Sequence, residues 1–173
     1  MRRSKRIFAT ATLLATTAIG GAGMASSANA SKDDVAINGT YRATSLGEWA
    51  KTRDSYHDEA TVTSTWTVVS SCTTADRCDG TVTSDQGWSA PLTMTDGKIW
   101  FVKHDVPNWE TCPDGTSYTG HQTFYFVAVD SNGIPHIGSP TLAGKDKTIA
   151  ASGACGVNKW LDIEIPFRLD KVG

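Results

Sequence analysis

Hydrophobic and polar positions alternate with a period of two along most of the chain beyond residue 30. From Ala60 to Cys72, the residues Ala60, Val62, Trp66, Val68 and Cys72 fall on one side, and Thr61, Thr63, Thr65 and Thr67 on the other. Successive side chains of an extended chain point to opposite faces, so this pattern predicts a half-buried strand with a threonine-covered solvent side. The chain end repeats it, with Leu161, Ile163, Ile165, Phe167 and Leu169 one way and Asp162, Glu164, Arg168 and Asp170 the other. Pro166 interrupts the outer row. Proline cannot donate to a ladder, so this strand is expected to be an edge or to carry a bulge there. Ile37–Ser45 alternates as well, with Tyr41 and Ala43 inward. Gly80–Asp85 and Ala90–Thr95 predict shorter strands. Lys98–His104 and Gly120–Val129 are apolar on both faces, which predicts central or cavity-lining strands. Pro135–Leu142 is a further candidate.

Asp96-Gly97 and Asn132-Gly133 fall between these runs and predict tight hairpins. Helical periodicity is nowhere sustained; Leu46–Glu59 has room for a turn or two. The fold class is therefore all-β. About eight antiparallel strands form a meander, either a barrel of lipocalin-like architecture or a sandwich. An eight-stranded barrel has an interior that side chains can fill or that can hold one small ligand. In a meander, successive connections alternate between the two ends. The links expected to be tight (the Cys72–Cys78 turn, Asp96-Gly97, Asn132-Gly133) share one end. Gly47–Glu59, Gln86–Ser89, Asp105–Thr119 and Gly144–Trp160 share the other, and three of these four are long.

Residues 1–30 read differently. Met-Arg-Arg-Ser-Lys-Arg precedes a run rich in Ala, Thr, Leu and Gly, and Ala28-Asn29-Ala30 precedes Ser31. This is a basic start, an apolar middle and a small-x-small cleavage site, so residues 1–30 are expected to be a signal peptide and 31–173 a single secreted β domain. The apolar stretch is short and interrupted by Thr and Gly, so no membrane span is expected to remain after cleavage.

The chain has 16 Lys+Arg against 18 Asp+Glu, and four of the basic residues (Arg2, Arg3, Lys5, Arg6) lie in the leader, which leaves 12 against 18, or −6. An acidic exported domain does not suit nucleic acid. Cys72, Cys78, Cys112 and Cys155 all lie in the mature part, at spacings that do not match a zinc site. An even count in an exported chain predicts disulfides. Of three possible pairings, Cys72–Cys78 with Cys112–Cys155 is favoured. The first staples a short turn, and the second joins two of the links that the alternation places at one end.

Six tryptophans are present. Trp66 and Trp100 fall in strands and are expected in the core. Trp49, Trp88, Trp109 and Trp160 fall in or beside the long links, where aromatic rings supply contact area and tolerate a wet edge. Trp49, Trp88, Trp109 and Glu110 are the candidate ligand contacts. The histidines (His57, His104, His121, His136) lack metal-ligand spacing, and Gly144-Lys145-Asp146 is not a phosphate loop, because Asp stands where Ser/Thr would hold Mg²⁺. Nucleophile signatures are missing. No catalytic residue, metal or cofactor is assigned.

Several stretches are specific when taken together: "NGTYRATSLGEWAKT", "TVTSTWTVVSSC", "VTSDQGW", "VPNWETCPDGT" and "GKDKTIAASGACGVNKWL". They resemble a family of small secreted, conserved hypothetical proteins of mycobacteria and related actinobacteria. The resemblance covers nearly the whole chain after the leader, including the four cysteines. It implies export and a cell-envelope or extracellular setting, and it supplies no catalytic residues.

The reading that results is a non-enzymatic, monomeric secreted module with an aromatic-rimmed site at the long-loop end. Its partner would be a small amphipathic ligand, a wall glycan or a protein. One alternative is a small hydrolase that uses loop carboxylates (Glu48, Asp58, Glu59, Glu110) or a histidine. Another is a structural or inhibitory envelope protein that works through a strand face.

Overall fold

The structure, a computed structural model, describes residues 31–173; the leader expected over residues 1–30 lies outside the described residues. The strands are β1 Gly39–Ser45, β2 Lys51–Thr52, β3 Ser55–Tyr56, β4 Val62–Thr74, β5 Arg77–Ser84, β6 Ser89–Met94, β7 Trp100–Thr111, β8 Ser117–Ala128, β9 Thr141–Ala150 and β10 Leu161–Lys171. One short helix, α1 Lys32–Val35, precedes them, and 3₁₀ turns occupy Gly47–Trp49 and Ala154–Gly156. Strands β1 and β4 to β10 pair antiparallel in chain order, and β1 also pairs with β10, with Tyr41 opposite Lys171 and Ser45 opposite Phe167. The meander is thus a closed eight-stranded barrel, which decides between barrel and sandwich. The small β2–β3 hairpin turns at Arg53 and Asp54, both at positive φ, and hangs from β10 through Lys51 opposite Glu164.

The alternation read from the sequence is the inside–outside alternation of the barrel. Trp66, Val68, Val82, Leu92, Met94, Val102, Phe126, Leu142 and Leu169 are each no more than 1% exposed and form the core. The N-terminal segment seals one end. The Ser31 side chain accepts a hydrogen bond from the Asp34 N–H, and the Asp34 carboxylate accepts from the Ser31 backbone, which starts α1. Val35 and Ile37 then bury themselves in the core cluster. Ser70 Oγ ties this segment down by accepting from the Ile37 N–H and donating to the Ile37 carbonyl.

Both disulfides have the expected pairing. Cys72 and Cys78 face each other across β4 and β5 at the sealed end, and Cys112–Cys155 joins the β7–β8 and β9–β10 connections at the other end. In the loop-entropy account the short ring contributes roughly 2 kcal/mol and the long ring roughly 4.

Four expectations need correction. The strand placed at Pro135–Leu142 is instead β9, Thr141–Ala150, and it ends where the alternation left a loop. Asn132-Gly133 does turn, but residues 129–140 form an extended connection held by a Val129–Pro135 bridge, so that link is not tight. The long link at Asp105–Thr119 is mostly strand, because β7 and β8 continue their ladder to Thr111 opposite Ser117. Finally, β10 is neither an edge nor bulged at Pro166. The proline sits where the β1 ladder ends, and its carbonyl accepts from the Leu46 N–H at 2.9 Å.

Candidate functional site

The inward-facing residues change character along the barrel axis. At the sealed end they are large and apolar. Toward the Cys112–Cys155 end the inner positions are held by Ser45 on β1, Ser64 on β4, Gln122 on β8, and Asp146 and Thr148 on β9. These side chains are too small to meet across the barrel, and they leave a cavity of about 540 Å³. That is within the usual size range for small-molecule sites. Ile163, Ile165, Val106 and Leu161 supply apolar wall, and the β1–β4 connection contributes Thr52, His57 and Glu59 to the rim.

Trp66 forms the aromatic base. Its ring meets Phe124 edge-on at 4.9 Å, Trp88 edge-on at 5.3 Å and Phe167 at 5.2 Å. Trp88 enters from the β5–β6 connection and stacks on His104 at 4.1 Å. Trp109 arrives by a different device. In the β7–β8 ladder Val106 faces Gly120 and Glu110 faces Tyr118, so Pro107, Asn108 and Trp109 together oppose Thr119 alone. Asn108 adopts φ 54° within this bulge. Extra residues in one strand re-aim the following side chain, and here Trp109 turns toward the cavity. Gly120 makes room for it, since a Cβ there would lie 2.7 Å from Trp109 Cγ.

Above this base, a hydrogen-bonded polar cluster joins β1, β9 and β8 on one side of the barrel. Ser45 Oγ donates to Asp146 Oδ2 at 2.8 Å, and Gln122 Nε2 donates to Asp146 Oδ1 at 2.7 Å. Asp146 is only 4% exposed. Burial pushes its carboxyl above the usual carboxylate value, against the opposing pull of the Ser45 and Gln122 hydrogen bonds and the nearby His104. No ion pair among the described residues includes Asp146. Two buried polar nitrogens nearby lack a partner, the Trp66 Nε1–H donor and His104 Nε2, whose ring meets the Asp105 carbonyl through Nδ1. Such groups are uncommon in folded proteins and ask for an explanation.

Of the candidates read from the sequence, Trp88 and Trp109 line the cavity. Trp49 does not. It stands 62% exposed on the Gly47–Trp49 turn. Glu110 pairs with Tyr118 along the backbone, and its side chain lies outside the described residues. Trp160, also 62% exposed, flanks a separate shallow groove with Arg53 and Lys147. The hydrolase alternative gains one pair at the rim, His57 Nδ1 with Glu59 Oε1 at 3.0 Å, both substantially exposed. Sequence reasoning missed Asp146, Ser45 and Trp66 as parts of a site. The available signal was Asp146 and Thr148 alternating with Lys145 and Lys147, a strand pattern with polar residues on both faces.

No protein-family model matches the chain, and no curated protein matches it. Among solved structures the chain is similar to the monomer form of the M. tuberculosis PknI sensor domain, with a TM-score of 0.54 and 16% identity over 80% of this chain and 89% of that one. At this identity the likeness is one of fold.

Proposed function

We propose that this domain is a non-enzymatic binding module that takes a small amphipathic ligand into the barrel at its open end. The observation that carries the reading is the cavity of about 540 Å³, aromatic at its base, apolar on much of its wall and polar on the side formed by Ser45, Gln122 and Asp146. A pocket of mostly apolar lining with a few convergent polar groups is the usual form of a ligand site. The setting proposed is outside the cell, after removal of residues 1–30. Two disulfides with no free cysteine among the described residues support it, and so does the shared fold with a sensor domain of a mycobacterial protein. The hydrolase reading is weaker. His57 and Glu59 are paired with each other at the rim, and no described hydrogen bond links His57 to a hydroxyl nucleophile.

The test uses the neutral fluorescent probe N-phenyl-1-naphthylamine. It should brighten on binding the purified protein and quench or shift the tryptophan emission of Trp88 and Trp109. Ile163→Trp fills the cavity from β10 and should weaken probe binding at least about tenfold without lowering the melting temperature. Probe binding that survives this substitution unchanged would place the ligand elsewhere.

A further inference from the structure

The charges around the cavity all point one way. Its lining contains Glu59, Asp146 and Asp162 and neither lysine nor arginine. Asp162 is neutralised in part by Arg53 at 3.9 Å, and His57 is engaged with Glu59. Asp146 makes no ion pair among the described residues, and His104 acts on it only through space. Each of its oxygens accepts one neutral hydrogen bond and keeps a free lone pair. A buried carboxylate without a cation is costly, and low-dielectric walls focus its field on whatever enters. The walls add a second attraction for positive charge. Trp66, Trp88 and Trp109 all line the cavity, and indole faces attract an ammonium within about 6 Å. Trp66 is 1% exposed, and its Nε1–H lacks an acceptor. An ammonium cannot satisfy that donor, but an oxygen beside it can.

We infer that the cavity selects an amphipathic amine that carries an oxygen acceptor next to its nitrogen, the amine set against Asp146 and the tail along Ile163 and Ile165. This rests on the binding reading above and names the ligand class for the same site. Anionic amphiphiles, fatty acids among them, are excluded by the same charges.

The experiment compares four compounds that share an eight-carbon chain, at pH 7, as competitors of the naphthylamine probe: 2-(octylamino)ethanol, octylamine, 1-octanol and octanoate. The expected order of potency is the one given. The amino alcohol should act at a concentration at least about tenfold below that of octanol, and octanoate should not compete. Asp146→Asn should bring octylamine and octanol to within about twofold of each other. The comparison within the unaltered protein stands even if the variant fails to fold. Octanol displacing the probe as well as either amine overturns this inference and leaves the cavity reading intact. Equal potency of octanoate and octylamine overturns it too. If the probe does not bind and none of the four shifts the melting temperature, both readings fall.

Discussion

The two halves of the barrel are built from the same strands, yet one is solid and the other hollow. On β1 the inner face passes from Tyr41 to Ser45. On β4 it passes from Val68 to Ser64, on β8 from Phe126 to Gln122, and on β9 from Leu142 to Asp146 and Thr148. Four strands change from large, mostly apolar inner side chains to polar ones toward the same end of the barrel. Packing a barrel needs matched volumes across the axis, because interiors are close-packed. The sealed half meets that condition, and the open half departs from it on several strands together. A cavity of this kind comes from a layer of residues, and a single small side chain would not make it.

The largest contrast should appear when one large side chain is removed from each half. Phe126→Ala in the solid half should cost about 3–5 kcal/mol. Ile163→Ala beside the cavity should cost less than about 2 kcal/mol, since its neighbours already face space. Urea denaturation measures both, and equal costs would mean that the open half is packed in solution. The disulfides offer a second contrast. Replacing Cys112 and Cys155 by serine should lose about 4 kcal/mol, and replacing Cys72 and Cys78 about 2 kcal/mol, because the ring closed by the first pair is much longer. The reverse order would show that the short bridge at the sealed end matters through native packing.

The smallest effect is in the pH dependence of stability. Burial holds the Asp146 carboxyl above its ordinary value of 3.8 in the folded protein. The folded state therefore keeps this proton more tightly than the unfolded chain. The resulting stabilisation is fully present below 3.8 and is lost as pH rises through the raised value. Asp146→Asn lacks it, so stability relative to the variant should decline across that window. Turn carboxylates such as Asp96 and Asp130, lowered by backbone N–H donors, act in the opposite sense at lower pH and cancel in the comparison. His104 acts on Asp146 through space, and repeating the series with His104→Gln isolates the contribution of Asp146 itself. A difference that stays flat with pH would show that the Asp146 carboxyl is not desolvated.

The solid half is the legible half. Residues 60–72 and 161–169 announce their strands because one face is apolar and the other polar, and the closed fold follows from enough such runs with short links between them. The alternation does not mark β9, for the reason that makes the strand interesting. Its inner face holds Gly144, Asp146 and Thr148, so the contrast that marks a strand is missing where a cavity is lined. The end of β7 was hidden by Pro107 and Asn108, which read as a loop and form a bulge. The bulge puts Trp109 in the site, whereas Trp49, equally suggestive by position, remains outside. Spacing along the chain cannot tell these two tryptophans apart, because the difference lies in which backbone is kinked.

The pairing of β1 with β10 also limits how this protein can meet other molecules. An open sheet offers a row of free N–H and C=O groups at each margin, onto which another chain can add a strand. Here the main ladder closes, and among the described strands such groups are left where neighbours differ in length, as along β7 beyond Val102, and at the two-residue strands of the β2–β3 hairpin. A barrel so closed confines strand addition to these stretches, and a protein that docks anywhere else on it must read side chains or loops.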